Sequence, residues 1–179
     1  MTRRGRVAII GLWLAGLVAL EAAGGIVVTP LVTDGRVLAS FTAAETFDRD
    51  ARELVKSGLT VEFVYLLALR RSAVLWFDDT LAQVQVSASA KYETLTDTYQ
   101  VSKLQGDKVT WSESTRDQEL VGRWMTVFEK VSLEPAAALE ANEDYYLQVR
   151  LYQRPRRRFS LWPWGGDDGS GRADFTYIR

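Results

Sequence analysis

The sequence predicts a mainly β fold: an antiparallel β-sandwich, immunoglobulin-like in general architecture, with two amphipathic helices and a preceding N-terminal apolar helix. Three observations predict it. Apolar and polar residues alternate with period two, most clearly where Val84, Val86, Ala88, Ala90 and Tyr92 interleave with Gln83, Gln85, Ser87, Ser89 and Lys91. Such alternation implies one buried and one wet face, hence antiparallel pairing. Turn signals, Asp34-Gly35 and Gln105-Gly106-Asp107, separate the alternating runs. Helical spacing is confined to two internal stretches. The alternative is an α+β fold, one antiparallel sheet with both helices on one face.

The N-terminus comes first in order. Arg3, Arg4 and Arg6 precede an apolar run over residues 7–20, the layout of an export signal. The arginines would stay on the cytoplasmic side while the rest crosses the membrane. The run fits an h-region of about 7–15 residues and falls short of the about 20 needed to span the hydrocarbon core. Glu21 and Gly24-Gly25 would weaken a longer apolar helix, and Ala22-Ala23-Gly24 offers small residues to a signal peptidase. Residues 1–25 are therefore expected to be a signal peptide or a signal anchor, with cleavage favoured. Residues 26–179 are expected to form a single exported, periplasmic β-rich domain, soluble after cleavage or held by a single-pass anchor. With no cysteine in the chain, lipoprotein attachment is excluded.

Next, apolar residues at 26–32 and 37–43 flank Asp34-Gly35 as a hairpin. Asp48 caps a short helix whose Ala51, Leu54 and Val55 share a face, stopped at Gly58. Residues 60–70 are apolar on both alternating sets, as expected of a central strand. Segments 98–104 and 108–112 form a second hairpin. Thr115 and Gln118 fit a capping box, with Asp117 near the positive end of the dipole. Leu120, Val121, Trp124, Val127, Phe128 and Val131 then recur at helical spacing, which places Trp124 on the sheet-facing side. A turn is expected around 135–139, and strands at 145–151 and 173–178.

Composition narrows the chemistry. A hydrophobic content of 47% with 11% aromatics argues for a packed domain rather than a disordered one. Without cysteine or histidine, disulfides, the usual transition-metal ligands and a serine–histidine triad are excluded. Oxygen-ligand sites remain, and no cofactor is expected. A formal net charge of −1 gives no support to nucleic-acid binding. Asp78-Asp79 beside Trp76-Phe77 could place a general acid among aromatics, but adjacent carboxylates at a turn more often supply loop polarity. Asp167-Asp168-Gly169-Ser170-Gly171 lacks the regular spacing of a calcium loop and reads as a polar turn. A serine–lysine dyad through Lys91, Lys103, Lys108 or Lys130 has no local support. The segment holding Arg154, Arg156, Arg157, Arg158, Phe159, Trp162 and Trp164 suits contact with anionic lipid or with a protein partner. Its bland alternative is a hairpin connection folded back onto the sheet.

Several short motifs occur in a suggestive order: Trp76-Phe77-Asp78, Tyr92-x-x-Leu95-Thr96-x-x-Tyr99, Tyr145-Tyr146-x-x-Val149-Arg150, Trp162-Pro163-Trp164 and Ala173-x-Phe175-Thr176. Over roughly 35–179 the chain resembles the bacterial envelope family catalogued as domain of unknown function 4390. The resemblance implies a small exported domain of unassigned function and, from genes near membrane histidine kinases, a signalling partner. It brings no active site. The expected function is a non-catalytic exported β module, an accessory or sensing partner of an envelope or inner-membrane protein. The alternatives are a lipid or apolar-ligand binding domain and, less favoured, a carboxylate-dependent envelope glycan enzyme.

Overall fold

A computed structural model describes residues 25–33, 36–72, 78–133, 139–153 and 169–178. The N-terminal apolar segment, and all of the turn expected at 135–139 except Leu139, lie outside them. In chain order the elements begin with β1 (Val27–Thr33), β2 (Arg36–Thr42), a 3-10 turn (Ala44–Thr46), α1 (Arg49–Lys56), β3 (Val61–Arg71) and β4 (Asp79–Glu93). They continue with β5 (Thr98–Gln105), β6 (Lys108–Thr115), α2 (Gln118–Thr126), β7 (Val127–Ser132), β8 (Asp144–Gln153) and β9 (Ser170–Thr176). Two antiparallel sheets result, a small one ordered β1-β2-β7 and a large one ordered β6-β5-β4-β3-β8-β9. Among the described residues no helix is long and apolar enough to cross a membrane.

Local chemistry sets these elements. Thr33 faces Arg36 across the first hairpin, the register that the Asp-Gly signal in the sequence predicts. In β2, Val37, Ala39 and Phe41 point inward and are buried. Strand β3 sits between β4 and β8. Its Val61, Phe63, Tyr65, Leu67 and Leu69 fill the core, while Val64 and Ala68 on the opposite face are also shielded. That explains its nearly continuous apolar sequence. At α1, the Asp48 carboxylate accepts from the Ala51 amide at 2.9 Å, and Gly58 at φ +84° ends the turn in the left-handed region.

The second helix differs from the expectation in two ways. Its N-cap is Asp117, whose Oδ1 accepts from the Glu119 and Leu120 amides at 2.8 and 3.4 Å; Thr115 instead accepts from the Asp117 amide. The helix also ends at Thr126, and Val127, Phe128 and Val131 belong to β7. The Thr126 hydroxyl bonds back to the Gly122 carbonyl at 2.8 Å, a contact that slightly destabilises a helix. The Ala43 amide then takes the Thr126 carbonyl at 2.9 Å and starts pairing with β2. Sheet hydrogen bonds and the Phe41–Phe128 stack, 4.8 Å between ring centres, override a spacing that fits either state.

Phe41, Tyr65 and Phe128 form the aromatic centre between the sheets, with Tyr65 edge-on to both phenylalanines at 5.0 and 5.4 Å. One side of the sandwich is shut, because the Ile26 backbone lies directly against Gly171 of β9. At the other side Lys103 and Gln105 of β5 reach the β7 carbonyls of Val127 and Ser132, and α2 packs over β4, β5, β6 and β7, leaving a groove between them.

Candidate functional site

A groove of about 560 Å³ occupies the open side, walled by β5, β6, α2 and β7. Its geometry follows from the second hairpin. Gln105 faces Lys108, so Gly106-Asp107 makes the turn, and a bulge beyond it brings Trp111 opposite Lys103 on the inner face. Trp124 reaches down from α2, placing its ring edge-on to Trp111 with centres 4.9 Å apart. Phe128 lies below.

Lys103 stands at the centre. Its Nζ is 4.7 Å from the centre of the Phe128 ring and 5.5 Å from that of Trp111. It donates to the Val127 carbonyl at 2.6 Å, on edge strand β7. Burial pushes its pKa below the ordinary lysine value, with Glu129 acting in the opposite direction. An ammonium has three donors and one is taken here, so a half-buried cation faces the groove with hydrogen-bonding capacity left. Arg123 and Lys130 add exposed positive charge at the rim, and neither has an ion-pair partner among the described residues. Among the described residues Glu129 is the single acid lining the groove. The site can hold an anionic group attached to an apolar or aromatic body.

Sequence reasoning did not single out this groove. Trp124 was assigned to the core, and Lys103 entered only as a remote dyad candidate. The available signal was the register of the second hairpin, which sets Lys103 and Trp111 side by side. Of the residues expected to make contacts, Arg154, Arg156, Arg157, Arg158, Phe159, Trp162 and Trp164 lie outside the described residues. In sequence they fall between β8 and β9.

Asp78 has a structural role: its Oδ2 accepts from the buried Tyr146 hydroxyl at 2.5 Å. The Arg172 guanidinium stacks on the Tyr146 ring at 3.7 Å and pairs with Asp174 at 2.6 Å. Asp79 is exposed at the start of β4. Within the expected polar turn, Gly169 takes φ +91° and Ser170 opens β9, while Asp167 and Asp168 lie outside the described residues. Among the described residues no cluster of acidic side chains could hold a metal.

Fold and groove together define an antiparallel β-sandwich domain with a cationic, aromatic cleft at its open side. The chain belongs to the family described as domain of unknown function (DUF4390), whose sequence model matches residues 26–155. Every groove residue lies inside that span, and the motifs at Trp162-Pro163-Trp164 and Ala173-x-Phe175-Thr176 lie beyond it. No curated protein and no solved structure matches the chain.

Proposed function

We propose that the protein is a non-catalytic binding module, exported across the inner membrane, that serves as an accessory or sensing partner of a membrane protein. The groove around Lys103, Trp111, Trp124 and Phe128 is its binding site. The observation that carries this reading is the composition of that cleft: tryptophan and arginine, the usual anchors of protein recognition, stand beside a half-buried lysine with donors to offer an anionic group. Glycan hydrolysis fits less well, since it uses two carboxylates and the groove offers one, Glu129. We also propose that the arginine- and tryptophan-rich sequence at 154–164 contacts a partner or anionic lipid.

Two measurements test the proposal. A reporter active only outside the cytoplasm, fused after Arg179, should be active; a silent fusion overturns the exported location. A photo-crosslinking residue in place of Arg123 should join the protein in cells to one membrane protein, and Lys103→Glu should abolish the adduct. Crosslinks scattered over unrelated proteins, unaffected by Lys103→Glu, would overturn the binding-site assignment. Fatty acids or lipids retained at the groove in native mass spectrometry would favour the apolar-ligand reading instead.

A further inference from the structure

Two sheets present four edges, and three of them are protected. Edge β9 is approached by the backbone of Ile26, close enough that Gly171 has no room for a side chain. Edge β1 carries Pro30, which has no amide to offer, and lies against β9. Edge β7 is capped by side chains of the other sheet. Lys103 Nζ donates to the Val127 carbonyl at 2.6 Å, and Gln105 Nε2 donates to the Ser132 carbonyl at 3.1 Å. Edge β6 carries a bulge at Thr110, but over the five residues from Trp111 to Thr115 it keeps regular pairing with β5, has no second strand partner among the described residues, holds no proline and is mostly exposed. Natural sheets blunt their edges, so one left bare for that length is a template for another strand.

The bare edge adjoins the groove, because Trp111 belongs to β6 and points to its inner face. A strand added to β6 sets its side chains in register with those of β6, alternating between the two faces. Side chains opposite Trp111 would therefore enter the mouth of the groove, near Lys103 and Arg123. The charge there is positive, with Lys103, Arg123 and Lys130 against Glu129. Pairing of β6 with a second copy of this chain would bring two such cationic mouths together, which charge repulsion opposes.

We infer that β6 is a strand-addition edge for an extended acidic segment of a partner protein, with an acidic side chain of that segment seated in the groove beside Lys103. This rests on the binding-module reading and names the partner's chemistry. Main-chain hydrogen bonds to β6 supply affinity, and the groove reads the alternate side chains.

The test uses the full exported domain and three synthetic peptides of one length: alternating glutamate and valine, alternating lysine and valine, and the glutamate peptide with a central proline. Hydrogen exchange is followed at the β6 amides, together with the fluorescence of Trp111 and Trp124. The glutamate peptide should slow exchange along β6 and shift the tryptophan emission, and the other two should do neither. Arg123→Glu, an exposed change that leaves the fold intact, should weaken glutamate-peptide binding by roughly tenfold. Emission shifts without β6 protection would overturn strand addition while leaving the groove as a binding site. Protection by the lysine peptide, or protection that grows with protein concentration alone, would overturn the acidic partner; the latter would instead indicate a second copy. No response to any peptide at millimolar concentration overturns the inference.

Discussion

Gly171 in β9 and Ile26 at the foot of β1 are in backbone contact: a β-carbon on Gly171 would overlap the Ile26 carbonyl. The neighbouring obstacle is the Val28 side chain, 2.8 Å from the same point. Since the carbonyl is main chain, no rotamer change can relieve the clash. The closed side of the sandwich therefore depends on glycine at 171, for want of space rather than for backbone freedom.

Gly171→Ala should destabilise the domain by about 1–3 kcal/mol, the usual range for forcing atoms into a packed region. Chemical denaturation followed by tryptophan fluorescence measures it. An unchanged midpoint would mean that β1 does not close on β9 as described.

The pH dependence of stability should carry a signature of Lys103. Burial lowers its pKa in the folded chain relative to the ordinary 10.5. Between the lowered value and 10.5 the unfolded chain binds more protons, so this group's contribution to stability rises with pH across that window. The contribution is fully present above 10.5 and is lost as pH falls through the folded value. Lys103→Met keeps much of the stem and removes the titration. The wild type should therefore gain on Lys103→Met as pH rises from neutral. Tyr92, whose pKa is raised by its hydrogen bond to Asp97, acts in the opposite sense, but only above the ordinary tyrosine value of 10.0. A stability difference between the two proteins that stays flat up to pH 10 contradicts the assignment.

Met125 should matter more to stability than Trp124, the residue that helical spacing places on the sheet-facing side. Met125 is fully buried, while Trp124 is partly buried, packed against the edge of the core and leaning on Trp111 at the groove. Met125→Ala should cost about 2–5 kcal/mol through cavity formation. Trp124→Ala should cost less, about 0.5–1.5 kcal/mol from the aromatic pair plus its partial burial, and should alter ligand response more than stability. Equal unfolding midpoints for the two variants would place Trp124 in the core after all.

The same pair of residues marks how far the fold was legible in sequence. Alternation marks β2, β3, β4 and β8, the Gln105-Gly106-Asp107 signal marks β5, and the Asp-Gly signal predicts the register of the first hairpin, because those signals are local. Helical spacing was misread across Thr126, because Val127, Phe128 and Val131 fit both a helix face and a bulged strand. Deciding between them takes β2, a partner 85 or more residues away in the register Thr42–Val127 and Phe41–Phe128. The groove was hidden for a related reason. Lys103 and Trp111 are neighbours by hairpin register, but Trp124 and Phe128 join them only once α2 has folded over β5. The arginine and tryptophan cluster at 154–164 stood out instead because its signal is compositional and contiguous.

The start of α2 supplies the last test. Both Thr115 and Asp117 stand where an N-cap could be, and the geometry divides their work. Asp117 Oδ1 accepts from the amides of Glu119 and Leu120, which are otherwise unpaired first-turn donors. Thr115 Oγ1 accepts from the amide of Asp117 itself at 3.0 Å, outside the helix. A carboxylate at this end also faces the positive pole of the helix dipole. Asp117→Ala should therefore cost about 1 kcal/mol, within the range seen for lost caps, and Thr115→Val less than half of that. Because α2 holds Trp124 over the groove, Asp117→Ala should also loosen the Trp111–Trp124 contact and change the emission of the folded protein. A larger loss from Thr115→Val than from Asp117→Ala would return the cap to Thr115 and shift the helix start by two residues.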